Sequence, residues 1–350
     1  GEVWVNGKMV ALIQDRYPVK LDISKFLMPH TKNRIALKVN HFYLNPGEGI
    51  ISPHSPLDKN FTWFAGRAWL DLTDETFISD AFLFTKTIED EKADIQTRIA
   101  LEHKGKLGFN GKLKIKMGLW ENTKEDLVEQ VVEMPVLIGP GVKKFDIGFS
   151  LVKPQLWEPG FPNLYKVIIE VEDMNGNVID DYAFTTGIRT LSQEGGTFRL
   201  NGKPAMLNGT QIMGFRAPLE NMMAQFRCPS DEWVVKEMLM TQKMNCNMLR
   251  VHVHGWKEKA VGVNDPRYAE FADQMGIMLI MCTPAWIREG DWGQVDFKGY
   301  RKYMKQLQNH PSIVMWEVSN HPNTFHNNPA YESDLFCEKA YNAVWPYDQS

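Results

Sequence analysis

The stretch "HPSIVMWEVSNHP", residues 310–322, decides how this chain is read. Its centre is an apolar run, bounded in front by His310-Pro311 and behind by Ser319-Asn320-His321-Pro322. Such a run reads as a strand buried on both faces, and polar side chains at its end read as a delivery to a site. Working outward, the same grammar recurs in "IMLIMCTP" (277–284), in "CNMLRVHVH" (246–254) and in a shorter run ending at Gly209-Thr210-Gln211. Helical patterns separate them. "PSDEWVVKEMLMTQKMN" (229–245) has Ser230 as N-cap, Asp231 and Glu232 in the first turn, and Val234, Met238 and Leu239 expected on one face. "DPRYAEFADQMG" (265–276) closes at Gly276, "DFKGYRKYMKQLQNHP" (296–311) comes next, and "SDLFCEKAYNAVWPY" (333–347) starts helically. Strand and helix alternate at intervals of roughly 35 residues, the pattern of a parallel sheet buried on both faces.

A doubly wound sheet and a (β/α)8 barrel both fit that pattern, and in both the chemistry gathers at the carboxyl ends of the strands. Those ends carry Gly209-Thr210-Gln211, Arg250 to His254, Thr283-Pro284-Ala285-Trp286 and Ser319-Asn320-His321.

The first 190 residues obey a different rule. "EVWVNGKMVAL" is a hairpin turning at Asn6-Gly7. Short alternating runs come after it, such as "ADIQTRIALEHK", "GKLKIKMGLW" and "KKFDIGFSL", with Gly, Asn, Asp and Pro between them. That argues for β-sandwiches, with a soft division near residue 78.

Composition excludes several classes. The chain has 350 residues, 43% hydrophobic and 23% charged, enough for more than one core. A net charge of −4 without a basic block gives no footprint for nucleic acid or an acidic membrane surface, and no apolar run is long enough to span a bilayer. No signal-peptide pattern opens the sequence; the compartment stays open. The four cysteines, Cys228, Cys246, Cys282 and Cys337, show no metal-ligand spacing, and small buried thiols are expected at Cys246 and Cys282.

Taken in order, "VWVNGK", "LWEPGFPNLYKVIIEV", "GIR", "FRLNGKPAMLNG", "NMLRV" and "NHPSIVMWEVSN" resemble glycoside hydrolase family 2, over nearly the whole chain. The resemblance implies a multidomain β plus α/β protein. Residues 1–78 would be an incomplete sugar-binding-like jelly-roll β-sandwich and residues 79–189 an immunoglobulin-like β-sandwich. Residues 190–350 would be the first half of a (β/α)8 TIM barrel. It implies retaining, exo-acting cleavage of a β-linked glycoside by two glutamates, with no cofactor and no metal, and a carbohydrate substrate as the partner. A periplasmic or secreted setting is favoured over the cytoplasm, and a homo-oligomer is compatible with the sequence. The chain reads as cut at both ends, so the family's nucleophilic glutamate is expected beyond Ser350.

Residue by residue, Asn320 matches the asparagine whose amide serves the sugar 2-hydroxyl, but His321 stands where the family has its acid/base glutamate. Three readings are open: His321 does the proton work near neutral pH, Glu317 supplies the carboxylate, or the fold binds glycans without cleaving them. Glu317 lies three residues before Asn320, about 10 Å short along an extended strand. Arg250 matches an arginine that supports the nucleophile, with a strand-end salt bridge as its plain structural role. His252, His254, Gln211 and Trp286 are candidates for sugar hydroxyls and for stacking. Trp316 suits a sugar platform or the core, and Trp256 and Trp292 read as loop residues. A metallohydrolase built on His252, His254 and His321 is a further, weaker class. In "FTWFAGRAWL", Trp63, Phe64 and Arg67 read as packing.

Overall fold

The computed structural model describes residues 1–13, 19–38, 68–120, 130–212, 230–251, 253–256, 259–262, 265–282, 298–317 and 330–344. The chain opens with β1 (Glu2–Val5) and β2 (Lys8–Leu12), which pair antiparallel. Asn6 and Gly7 between them both have positive φ, 50° and 79°, as a tight two-residue hairpin turn requires. β3 (Ile35–Lys38) pairs with the other side of β1, giving the order β2-β1-β3. The segment between β2 and β3 is tied to the next unit of the chain: Lys104 meets Asp22 at 2.7 Å, and Lys20 and Lys104 both lie over the ring of Phe77.

That unit runs through β4 (Thr76–Glu89), β5 (Lys92–His103), β6 (Phe109–Leu119), β7 (Gln130–Ile138), β8 (Gly141–Val152), the short β9 (Trp157–Glu158) and β10 (Phe161–Pro162), β11 (Tyr165–Asp173) and β12 (Val178–Thr186). Residue 78, the expected point of division, lies inside β4. Two antiparallel sheets form, β4-β5-β8 and β12-β11-β6-β7. Strict alternation explains their packing. From β5, Ile95, Ile99 and Leu101 point inward, and from β6, Leu113, Ile115 and Met117 meet them with Ile169 and Val171 of β11. Each fully buried aliphatic chain stabilises this core by roughly 1.5–3 kcal/mol. On the outer face of β6, Lys112 pairs with Glu172 (3.0 Å) and Lys116 with Glu170 (2.5 Å). The connection into β11 is fixed by the Tyr165 hydroxyl, which accepts from the Gln155 backbone N–H at 2.8 Å.

A three-stranded meander comes next: β13 (Leu191–Glu194), β14 (Thr197–Leu200) and β15 (Lys203–Pro204). The last unit alternates strand and helix, as the sequence pattern predicts: β16 (Gly209–Ile212), α1 (Asp231–Lys243), β17 (Met248–Val251), the hairpin β18 (Val253–Trp256) and β19 (Lys259–Gly262), α2 (Arg267–Met275), β20 (Met278–Cys282), α3 (Lys298–Leu307), β21 (Ile313–Glu317) and α4 (Ala330–Val344). β16, β17, β20 and β21 form one parallel sheet in chain order.

The helix ends obey the sequence signals. Ser230 Oγ accepts from the Trp233 N–H at 3.3 Å, and α2 stops at Gly276 in the left-handed conformation. One face departs from the expectation: α1 buries Val234, Met238 and Thr241, whereas Leu239 is exposed. Five residues from Val234 carry a side chain about 140° around a helix, off the buried stripe, while Thr241 returns to it. Cys246 is also only half-buried rather than a core thiol; the Cys282 side chain and Cys228 lie outside the described residues.

The two faces of the parallel sheet differ. Leu249, Val251, Leu279, Met281 and Ile313 face α1, α2 and α3, packing with Val234, Tyr268 and Tyr303. On the opposite face, Met248, Met278, Val314 and Met315 pack against Leu191, Phe198 and Leu200 of the meander and against Trp157. The meander therefore closes one end of that second face and leaves the carboxyl end of the strands beyond it. Trp157 is fully buried, and its Nε1 donates to the Asp273 carbonyl oxygen at 2.9 Å, joining the sandwich to α2.

Candidate functional site

At the carboxyl end of the parallel sheet, register brings together three of the residues singled out from the sequence. Gln211 of β16 is level with Arg250 of β17, which is level with Ile280 of β20 and, beyond it, Met315 of β21; Glu317 lies two residues further on. Alternation then turns Gln211, Arg250 and Glu317 to the face away from the helices. Arg250 reaches across β20, roughly 10 Å of sheet, and grips Glu317 with two parallel bonds. Nε donates to Oε2 and Nη2 to Oε1, both at 2.5 Å. Its Nη1 donates to Gln211 Oε1 at 2.8 Å.

The pair is only partly open to solvent: the Arg250 side chain keeps 26% of its exposure and Glu317 14%. A two-pronged guanidinium–carboxylate pair is strong and directional, and at this depth it is screened much less than a surface pair. Chemically, both Glu317 oxygens are occupied as acceptors by the guanidinium. By register, the pair forms a polar platform next to the apolar layer of Met248, Met278 and Met315.

The other candidates fall differently. His254 belongs to β18, which pairs antiparallel with β19, so it is carried by a hairpin and does not extend the parallel strand. The alternation of "VHVH" hides that change of partner, because β17 already ends at Val251. Trp256, expected in a loop, is in the same hairpin strand. Trp316 packs on the helix side, edge-on to Tyr303 with ring centroids 6.3 Å apart, which makes it core rather than a sugar platform. His252, Trp286, Trp292, Asn320, His321, Trp63, Phe64 and Arg67 lie outside the described residues. Among the described residues no group of three His, Cys, Asp or Glu side chains is gathered to hold a metal ion, and no helix is long and apolar enough to cross a membrane.

Two polar clusters are additional to those the sequence pattern points to. Between α1 and α2 the Glu237 carboxyl accepts from Trp233 Nε1 at 3.0 Å and from the Tyr268 hydroxyl; burial pushes its pKa up against both of those bonds. At the start of β21, His310 Nδ1 lies 2.6 Å from Asp273 Oδ2, and Asp273 Oδ1 accepts from the Ser312 N–H at 3.0 Å. Burial works to lower the His310 pKa, but the Asp273 charge and hydrogen bond outweigh it and hold it above the ordinary value. The signal for this second cluster is present in "NHPS", a polar run ahead of an apolar strand.

Known proteins resemble this arrangement throughout. Residues 76–189, the sandwich with its exit strand, match the model of the glycosyl hydrolases family 2. A β-galactosidase of Photobacterium profundum is 24% identical over 348 residues, an alignment covering 91% of this chain and 30% of the relative. The chain thus spans about a third of the length of that curated relative. Among solved structures, a family 2 glycosyl hydrolase of Bacteroides cellulosilyticus superposes with a TM-score of 0.74 at 18% identity, covering 99% of this chain and 44% of that one. A Bacteroides uniformis β-glucuronidase gives 0.70 at 19%, covering 99% and 42%. The family 2 match is thus carried by the sandwich, and the curated β-galactosidase aligns beyond it along most of the chain.

Proposed function

We propose that this protein is a glycoside hydrolase, cleaving a β-linked glycoside from the chain end with retention. The observation that carries the reading is the Gln211–Arg250–Glu317 platform, at the carboxyl ends of parallel strands and on the face away from the helices. Three features support the architecture behind it. Strands β16, β17, β20 and β21 run in chain order without the reversal of a doubly wound sheet, as in the first half of a (β/α)8 barrel. The 3+4 strand order of the sandwich and the Tyr165 hydroxyl bond before β11 suit an immunoglobulin-like domain. The domains are then an incomplete jelly roll before Thr76, where β4 begins, the immunoglobulin-like sandwich from Thr76 to 189, and the barrel portion from 190.

In this reading Asn320 binds the sugar 2-hydroxyl and His321 takes the acid/base position, with His252, His254 and Trp286 near the sugar. Glu317, engaged by Arg250 through both oxygens, serves as counter-ion and platform rather than as proton donor. The substrate is a carbohydrate, and β-galactosides and β-glucuronides are the first to try, because relatives bear those names.

The test is hydrolysis of a panel of nitrophenyl β-glycosides by the full-length protein beside His321→Glu. Turnover by the wild type that the variant does not improve supports His321 as a working acid/base. A silent wild type with an active variant means that the chemistry has been lost from a glycosidase fold. Silence in both favours a protein that binds glycans without cleaving them, a reading the histidine itself invites.

A further inference from the structure

The polar far end of "NHPSIVMWEVSN" is accounted for by the site; its near end is not. Every residue from Gln308 to Ile313 is bonded to another element. Gln308 Nε2 donates to Asp80 Oδ1 at 3.1 Å. Asn309 lays its carboxamide along the edge of β4 away from β5, accepting from the Leu83 N–H at 3.0 Å and donating to the Ala81 carbonyl at 2.9 Å. It thereby stands in for a neighbouring strand. His310 and Ser312 meet the Asp273 carboxylate. Arg189, buried in the exit from the sandwich, donates from Nε to the Pro311 carbonyl (2.6 Å) and from Nη2 to the Ile313 carbonyl (2.8 Å). Pro311 in turn is pressed onto Gly187, where a Cβ would come within 2.9 Å of the proline and 2.7 Å of Trp157.

These bonds matter because the sheet ladder alone does not define where β21 stands. Its pairing with β20 already shifts between Leu279 and Ile280. A slip of one residue would move each side chain about 3.3 Å and turn it to the other face. The carbonyls of Pro311 and Ile313 project on the same side of the strand, two residues apart, and a planar guanidinium spans both, whereas an ammonium meets one.

We propose that Arg189 and Asp273 are positioning residues: they set how far β21 extends along the sheet, and so the level at which Glu317 and the residues after it stand in the site. The sandwich is then the gauge of the site-bearing strand. The proposal rests on the reading of β21 as that strand.

Arg189→Ala, Arg189→Lys and Asp273→Asn in the full-length protein test it, by hydrogen exchange and by steady-state kinetics on the aryl glycoside that the wild type accepts. Expected in Arg189→Ala is a loss of protection of about tenfold or more at the amides of Val314 to Glu317, with β5 amides unchanged. With it, kcat falls about 10- to 100-fold at nearly constant KM, since small misplacements of reacting groups are that costly. Arg189→Lys recovers part of both effects. Unchanged exchange in β21, or a rise shared equally by β5, overturns the proposal, as does a folded Arg189→Ala with wild-type kcat. If Arg189→Ala does not fold, Arg189→Lys and Asp273→Asn give the same two readouts at smaller amplitude. If the wild type hydrolyses nothing, the enzymatic reading falls, and exchange in β21 against β5 still decides the positioning role.

Discussion

On β6 the side chains divide cleanly: Leu113, Ile115 and Met117 enter the sandwich core, and Lys112, Lys114 and Lys116 form ion pairs with Glu170 and Glu172 outside it. β17 and β21 have no such outside. Leu249, Val251 and Ile313 face the helices, while Met248, Val314 and Met315 face the meander. In the sandwich, a polar residue at an inward position is an exception to be explained by packing. In the parallel sheet the second face is covered by the meander only up to the carboxyl end, where the half-buried Arg250 and Glu317 hold one another and reach the exposed Gln211. The comparison teaches where to expect stability and where to expect function: apolar redundancy in one region, a few irreplaceable polar bonds in the other.

The sharpest way to break that contrast is to damage each region in its own terms. Ile115→Ala removes a side chain with 1% exposure from the middle of the sandwich core. The expected loss is about 3–4 kcal/mol, from lost burial together with the cavity left behind. Urea unfolding would measure it, and turnover per folded molecule should stay at the wild-type level. Glu317→Ala should behave in the opposite sense. It leaves the Arg250 guanidinium, three-quarters buried, without its two-pronged partner. Removing one member of a fully buried pair costs about 3–5 kcal/mol, and the residual exposure reduces that here to roughly 2 kcal/mol. Glycoside turnover, however, should fall far more than in Ile115→Ala. If Ile115→Ala proves the more damaging to activity per folded molecule, the division of labour between the two regions is wrong.

Where the regions join, pH provides the probe. The native His310 is held above its ordinary pKa by Asp273 despite burial, which acts the other way. A basic group with a raised native pKa contributes stability that is complete below its unfolded value, about 6.5, and is lost as pH climbs through the higher native value. Melting temperatures of the wild type should therefore fall relative to those of His310→Asn on going from pH 6 to 9. Parallel curves would mean that the pair does not couple α2 to the start of β21.

How much of this is legible in the sequence depends on the range of the interactions. The hairpin at Asn6-Gly7, the Ser230 cap and the Gly276 stop are local, set by residues within a turn of one another, and each forms as its sequence predicts. Leu239 lies off the expected face because a helical pattern alone does not say which of two neighbouring stripes the sheet will cover. His254 reads as part of the parallel strand because period-two alternation is blind to a change of hydrogen-bond partner. Arg250 and Glu317 each stand out in the sequence, but not as a pair: they are 67 residues apart and separated by a whole strand. Arg189 stands in the "GIR" motif, but its contacts with β21 are not legible there, since they go to backbone carbonyls, and the Asp273 contacts span 37 and 39 residues.

The smallest expected effect probes the sandwich's own exception. Thr97 is fully buried on β5 between Leu83 and Ile147, and its hydroxyl has no hydrogen-bond partner among the described residues. An unsatisfied buried hydroxyl costs about 1–3 kcal/mol, whereas valine has the same branched shape and the same preference for strands. Thr97→Val should therefore stabilise the protein by roughly 1 kcal/mol, seen as a rise in the urea midpoint at an unchanged slope. Turnover should not move, because among the described residues no hydrogen bond joins Thr97 to the polar platform. A destabilised Thr97→Val would mean that the hydroxyl is satisfied after all, and that the sandwich core also depends on a specific polar bond.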